Sequence, residues 1–376
     1  MKLELIAAVT FGLEAVTKRE IENLGYEILC VEDGKITFLS DERGIIRSNL
    51  WLRTCDRIGI KLGEFTALES EDLFQMVKGI PWGKWLPMDA NFVINASVHK
   101  SNLKSERVTQ SVCEKAIIDR LKETYVVDRF PKTGAKYDIK VTILKDRATV
   151  TLDTTGPSLH KRGYRKLISD APIKETLAAS MVLLSYYRDD KILVDPCCGS
   201  GTIPIEACMI SLNIAPGILR RFAFNDWNLI SEEIFQDELK LAKDSRVHKE
   251  LKIYGSDIDP NMIKIAKENA KALGVEQYIK FNVCDISKIK TKAEYGVMIT
   301  NPPYGIRIGD KDQIEHIYDF YKEFFEIHKT WSLFVITPDK EIENEVMRRK
   351  ADRRRKLYNG RLEVCYYQFH GEKPIK

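Results

Sequence analysis

The sequence predicts an α/β chain whose second half carries a mostly parallel sheet closed by a terminal antiparallel hairpin, behind a front half of α+β character. Three observations carry the prediction. Past residue 165, short apolar runs (ILV, KIYGSD, YIKFNVCD, YGVMITN, SLFVITP) alternate with stretches of helical periodicity, the pattern of parallel strands joined by crossover helices. The first of those strands runs into DPCCGSGT (195–202) and out through TIPIEACMISL, so Gly199 and Gly201 sit in a strand-to-helix turn. The front half holds hairpins around single helices instead, and the chain ends on LYNGRLEVCYYQFH, a hairpin turning at Asn359-Gly360.

Taken in order, residues 1–65 read as a small α+β unit: strand ELIAAVT, a helix over 12–24, the hairpin ILCVEDGKITFLS turning at Asp33-Gly34, and a closing helix over roughly 41–57. Residues 66–158 add a helix over 69–79, strand NFVINASVHK, a helix over 105–124 and the hairpin YDIKVTILKDRATVTLDTT. Gly156-Pro157 breaks the chain ahead of LHKRGYR (159–165), whose cationic and aromatic side chains suit either phosphate contact with base stacking or a clasp between domains. A third unit spans 165–376. It opens on a helix over 172–187 with Pro172 in its first turn, and an insertion at 213–250 delays its second strand. A helix from Pro260 to Leu273 follows, capped by Asp259 and ended by Gly274.

A chain of 376 residues exceeds one typical core and supports two or three domains. Its hydrophobic fraction of 44% and charged fraction of 30% are those of an ordinary soluble protein. No run of about 18 apolar residues occurs, and MKLELIAAVTFGLEAVTKRE carries acids without a small-residue cleavage site, so neither a membrane span nor a signal peptide is expected. Eight cysteines with no C-x-x-C pair, beside only six histidines, argue against a metal site or a disulfide framework and for a reducing cytoplasm. The net charge of +4 does not announce a nucleic-acid binder, but its distribution is uneven. Between residues 100 and 165 there are 15 Lys/Arg against 8 Asp/Glu, and 348–356 reads RRKADRRRK. Lys100, Lys104, Arg107, Lys132 and Lys136 suit phosphate contact, or simply a solvated face.

The turn at 195–202 points to a ligand. Asp195 sets a carboxylate at the carboxyl end of a strand, where open α/β sheets bind ligands, and the glycines admit a ligand to the main chain. Pro204 stands where a dinucleotide fingerprint needs its third glycine, and no Lys-Ser/Thr pair of a phosphate loop follows. A nucleoside with a cationic group, such as S-adenosyl-L-methionine, fits the acid better; an ordinary tight turn fits the glycines equally well. A second stretch shifts the balance. In NPPYG (301–305), two prolines stiffen the backbone after an Asn at a strand end, and an aromatic ring follows.

The series DPCCGSGT, GSDID (255–259) and NPPYG resembles Rossmann-like methyltransferases that use S-adenosyl-L-methionine on exocyclic amino groups. Together with LHKRGYR and APIKETLAAS (171–180), it is similar over nearly the whole chain to the THUMP-domain RNA methyltransferases that make N2-methylguanine, including the large-subunit ribosomal RNA enzymes. The resemblance implies three domains: a ferredoxin-like unit (1–65), a THUMP domain (66–158) that binds RNA, and the methyltransferase domain (165–376). It implies a cofactor site made by Asp195, Cys198, Gly199, Ser200, Gly201, Thr202, Asp257, Ile258, Asp285 and Asn301. There Asp257 would accept the ribose hydroxyls, its two oxygens matching two donors, and Asp285 would accept from the adenine amine.

The chemistry implied rests on Asn301, Pro302, Pro303 and Tyr304. Guanine delocalises the lone pair of its exocyclic amine into the ring, and acceptors for its N–H groups favour the pyramidal, nucleophilic form. Asn301 offers a side-chain carbonyl, Pro302 a backbone carbonyl, and Tyr304 a ring on which the base stacks. Alignment of donor and acceptor then supplies much of the rate, and the target base must be unpaired or flipped out. Two positions depart from the pattern: Ile306, where relatives often carry an acid, and Cys197, where a larger residue is common. Cys197 and Cys198 read as packing residues, and His160 and His316 are given no chemistry. The RNA expected is ribosomal first and transfer RNA second. Rival functions are adenine-N6 methylation of DNA, which shares NPPY but calls for a DNA-reading region, and a non-catalytic RNA assembly factor.

Overall fold

The computed structural model describes residues 2–127, 129–165, 172–304, 310–360 and 362–373, and among them are two seven-stranded sheets. The first is built from β1 (Leu3–Val9), α1 (Glu14–Asn23), β2 (Ile28–Glu32), β3 (Lys35–Ser40), α2 (Glu42–Trp51), β4 (Cys55–Thr66), α3 (Ser70–Gly79), β5 (Asn91–His99), α4 (Glu106–Tyr125), β6 (Lys136–Leu144) and β7 (Arg147–Asp153). Its order is β2-β3-β1-β4-β7-β6-β5, antiparallel except for β5 on β6. The Asp33-Gly34 turn forms as expected, with Gly34 at φ +76°. The helix expected over 41–57 ends at Trp51, and the rest of it opens β4. Bulges at Ala8/Val9 and at Lys61/Gly63 shift the register of β4 against both neighbours. Its inward residues Cys55, Ile58 and Ile60 therefore miss a clean alternation, and the strand is hard to see in sequence.

The second sheet follows from α5 (Glu175–Leu184), β8 (Ile192–Asp195), α6 (Thr202–Ser211), α7 (Glu232–Asp244), β9 (Ile253–Asp257), α8 (Pro260–Leu273), β10 (Ile279–Val283), β11 (Gly296–Thr300), α9 (Asp310–Ile327), β12 (Ser332–Thr337), β13 (Arg353–Asn359) and β14 (Leu362–Phe369). The order β10-β9-β8-β11-β12-β14-β13 is parallel through β12, and the terminal hairpin is antiparallel, as the sequence predicts. The order reverses between β8 and β11, which pair directly through Leu193↔Val297 and Val194↔Met298. Both chain segments singled out in sequence thus leave the sheet side by side, at its topological switch point. Asp259 caps α8 through the Asn261 amide (2.8 Å), and Gly274 ends it at φ +71°. The last three residues of RRKADRRRK's second half, together with Arg353, belong to β13, the edge strand, rather than to a loop.

LHKRGYR is a clasp. Arg162 is 2% exposed and donates to the Glu206 carboxylate on α6 (3.2 Å), to the Leu159 carbonyl (2.9 Å) and to the Arg53 carbonyl of the front half (2.6 Å). Tyr164, fully buried, donates to the same carboxylate (3.2 Å). The 213–250 insertion adds two further ties: Glu238 of α7 takes Arg43 and Arg47 of α2 (2.9 and 2.8 Å), and Trp227 stacks on Tyr137 of β6 at 4.9 Å. Removing one partner of a buried ion pair leaves the other uncompensated, at a cost of about 3–5 kcal/mol. Arg162→Ala should therefore lose about that much in urea unfolding, and Arg162→Ala with Glu206→Leu should recover a large part of it.

Candidate active site

Gly199 and Gly201 take φ of +50° and +81°, in the left-handed region that side chains avoid. Gly201 is constrained a second time, because a Cβ there would lie 2.9 Å from both Ala266 and the Phe281 ring. The Cys198 amide donates to the Ser256 carbonyl (2.9 Å) and holds the turn against the end of β9. Asp257 receives the Gly199 amide on one oxygen (2.9 Å) and the Asp259 amide on the other (3.0 Å). An ionised carboxylate has about four acceptor positions, so each oxygen keeps capacity for a further donor.

A cleft opens beside Asp257, lined by Cys197, Ile258, Asp285, Pro303, Gln313 and His316 among others. Asp285 stands just past β10 and is held by three donors on one oxygen: the Ser287 amide (2.9 Å), the Ser287 hydroxyl (2.7 Å) and His316 Nε2 of α9 (2.9 Å). Its second oxygen has no hydrogen bond among the described residues. The His316 contact, with the Ser287 bonds, holds the Asp285 carboxyl well below the usual carboxylate range. His316 is a residue that sequence reasoning passed over; it lies 31 positions from Asp285, and only the packing of α9 brings them together. A ribose needs the free acceptors of Asp257, an adenine amine needs the open oxygen of Asp285, and Ile258, 57% exposed, offers an apolar surface between them. S-adenosyl-L-methionine fits this donor and acceptor set.

The other cofactor candidates lie deeper. Asp195 is 1% exposed beneath the turn and receives the Cys197 amide (3.2 Å). Cys198, Ser200 and Thr202 are all buried, Ser200 gives its carbonyl to Asn269 (3.1 Å), and the Thr202 hydroxyl accepts from Arg165 of the clasp (2.7 Å). Their side chains face the protein, leaving the main chain of the turn to meet a ligand. Cys197 and Cys198 carry thiols that burial pushes well up, in keeping with packing residues.

Asn301–Tyr304 follow β11 as irregular backbone, with Pro302 buried. The Tyr304 hydroxyl donates to Asn301 Oδ1 and accepts from Asn359 Nδ2 (3.3 Å), the last residue of β13. Burial pushes the Tyr304 phenol up to about 12. Ile306 lies outside the described residues. Of the basic residues named in sequence, Lys132 and Lys136 pair with Glu114 and Asp138, while Lys100, Lys104 and Arg107 have no ion pair among the described residues. A separate concavity on the open face of the first sheet is lined by Arg57, Lys140, Arg147 and Thr149 and has no residue of the second sheet.

A Rossmann-like sheet with a glycine turn and Asn-Pro-Pro-Tyr on adjacent strand ends, and carboxylates after the next two strands, defines a methyltransferase. The chain belongs to the RMKL-like methyltransferase family, whose methyltransferase domain matches residues 162–368, behind an RlmL ferredoxin-like domain at 4–59 and a THUMP domain at 69–153. It is 41% identical over 371 residues to YpsC of Bacillus subtilis (strain 168), named an RNA methyltransferase, covering 98% of this chain and 96% of that one. It is 34% identical to the ribosomal RNA large subunit methyltransferase K/L of Psychromonas ingrahamii, over 96% of this chain but 50% of that longer protein. The SMU.472 structure, complexed with SAH, is 41% identical at a TM-score of 0.93, covering 100% and 99% of the two chains. A Listeria monocytogenes structure described as an N6-adenine-specific DNA methylase is 41% identical at a TM-score of 0.94, covering 99% and 97%. No described helix is long and apolar enough to cross a membrane.

Burial pushes the Asp195 carboxyl up to about 7 from 3.8, only partly offset by Thr300 and the Cys197 amide. The sign follows directly: below about pH 4 both states are protonated, and from there to about pH 7 the unfolded chain ionises while the folded one holds its proton, so this group lowers stability as pH rises. Asp195→Asn removes that penalty. In urea unfolding its advantage over the wild type should be larger at pH 8 than at pH 5, by on the order of a few kcal/mol.

Proposed function

We propose that the protein transfers a methyl group from S-adenosyl-L-methionine to the exocyclic N2 of guanine in RNA, with large-subunit ribosomal RNA as the target. The observation that carries the reading is the Asn301–Tyr304 segment at the switch point, beside the Asp257–Asp285 cleft. Asp257 takes the ribose hydroxyls, the open oxygen of Asp285 takes the adenine amine, and the main chain of Gly199–Gly201 borders the methionine end. Asn301 Oδ1 and the Pro302 carbonyl accept the two N–H groups of the target amine, turning its lone pair toward the methyl group, while Tyr304 stacks the base. The sulfonium carbon–sulfur bond breaks as the nitrogen–carbon bond forms, and the amine proton leaves to solvent afterwards. No general base of unusual pKa is required.

The domains support an RNA target: a THUMP domain precedes the catalytic one, and the relative from Psychromonas ingrahamii is named for large-subunit ribosomal RNA. Unpaired guanines are common in RNA loops, so extruding one costs little, whereas duplex DNA charges more for each flipped base. A second reading, adenine-N6 methylation of DNA, shares NPPY and is the description given to the Listeria neighbour.

The two separate by product. Incubated with labelled cofactor and undermethylated ribosomal RNA, transfer RNA and duplex DNA, the protein should yield N2-methylguanosine from ribosomal RNA on nucleoside mass spectrometry. N6-methyladenine in DNA as the sole product would install the second reading. Asn301→Ala should lower turnover about 10²- to 10³-fold, the usual loss of one preorganised hydrogen-bonding group.

A further inference from the structure

Tyr186 sits where a tyrosine is out of place. It follows Ser185, the C-cap of α5, and takes φ +54°, the left-handed position at a helix end that ordinarily falls to glycine. A bulky aromatic is strained there, and the ring gains little burial in return, since the residue is 55% exposed. Arg19 of α1 stands over the ring at 5.8 Å.

Beside Tyr186 runs the edge strand β13. Arg353 and Arg355 line the same small cleft as Tyr186, together with Gln368 of β14. Gln368 is 2% exposed, and its side-chain carbonyl has no hydrogen-bond partner. The neighbouring cations are mostly spoken for: Arg349 pairs with Asp352, Arg354 with Glu343 and Lys356 with Glu363. Arg19, Arg353 and Arg355 have no ion pair among the described residues, and Arg355 donates to the Gly12 carbonyl of the front half (2.6 Å). Three unneutralised guanidinium groups, an exposed ring and a buried open acceptor thus meet at the seam of the two halves.

We propose that this cleft holds a single-stranded segment of the RNA substrate, with one base stacked on Tyr186 and its flanking phosphates on Arg19, Arg353 and Arg355. A ring with cations around it is the chemistry of strand binding without sequence preference, and Gln368 offers an acceptor to a ribose hydroxyl or a base amine. The position suits the reaction. Strand β13 runs from this cleft to Asn359, which contacts Tyr304, so four residues, or about 13 Å, separate Arg355 from the residue that touches the target-base site. The cleft and the target-base site are thus joined by one strand of the fold, at opposite ends of the stretch that Gly12 covers. The inference rests on RNA as the substrate and not on which base is methylated.

The test measures affinity without methyl transfer, so an error in the base assignment would appear in nucleoside analysis and leave this result intact. The full-length chain is titrated against a labelled single-stranded oligoadenylate over a range of salt, with thermal unfolding and cofactor calorimetry alongside. Tyr186→Gly relieves the backbone, so its Tm should hold or rise, while RNA affinity should fall roughly 5- to 150-fold. Arg353→Ala should flatten the slope of log affinity against log salt by about 0.7, and Arg353→Lys should restore it. Unchanged RNA affinity in the folded Tyr186→Gly chain overturns the proposal. So does a loss confined to Arg353→Ala, because an undirected cationic surface would give the same result.

Discussion

A guanidinium with almost no access to water governs how this molecule is assembled. Taking Arg162 out of solvent is tolerable only because Glu206, two carbonyls and the surrounding apolar wall are all in register, and those partners come from three parts of the chain: Arg53 from the front half, Leu159 from the connector, Glu206 from α6. A shift of the front half against the catalytic half would strand a buried charge. The pair therefore acts as a register mark between domains, a role buried ions serve better than that of net stabiliser. Glu206 lies one helical turn after Thr202, and Thr202 is gripped by Arg165 from the same connector. The glycine turn and the front half are thus braced by neighbouring residues of a single segment.

That bracing explains the division of labour in the cleft. The turn residues Cys198, Ser200 and Thr202 turn their side chains into the protein, so the proposed ligand contacts fall to the main chain of the turn and to two carboxylates after the next strands. Each carboxylate is aimed by donors from the protein: Asp257 by two backbone amides, Asp285 by Ser287 and His316. Aiming by several donors removes rotamer freedom before the ligand arrives, which lowers the entropy lost on binding. Asp195 belongs to the structural group. Buried and pushed up in pKa, it holds the turn from below through the Cys197 amide.

What could be read from sequence was whatever depends on local chemistry. Glycines at positive φ, prolines at a strand end, the Asp259 cap and the Asp-Gly and Asn-Gly turns are decided within a few residues, and each is found where the sequence predicts. Strand β4 was misread because two bulges erase its period, and α5 is shorter than 172–187 at both ends: Tyr186 reverses the backbone after it, and it starts at Glu175 behind the Lys174 N-cap, so Pro172 precedes the helix and is not in its first turn. His316 and Asn359 were visible as residues but not in their contacts: each meets a residue 31 or 55 positions away through packing of a helix and a hairpin, which no local pattern signals. LHKRGYR was legible in composition but ambiguous in role. Only the burial of Arg162 and Tyr164 separates a clasp from a phosphate binder.

The Asn301–Tyr304–Asn359 chain poses a last question of accounting. In this structure the Asn301 carbonyl already accepts a hydrogen bond from Tyr304, and the proposed reaction asks the same oxygen to accept from the target amine. An amide oxygen has two lone pairs, so both donors can be held at once without expelling either. The shared bond also orients the amide: with Tyr304 donating, the oxygen rather than the NH₂ group must face the hydroxyl, and a flip would set donor against donor. Burial raises the Tyr304 pKa to about 12, so the phenol keeps its proton at neutral pH and remains a donor throughout. Asn359 holds the other side of that hydroxyl, which ties the orientation of Asn301 to the end of β13. The acceptor proposed to prepare the amine is thereby oriented from the same edge strand whose other end lines the proposed RNA cleft.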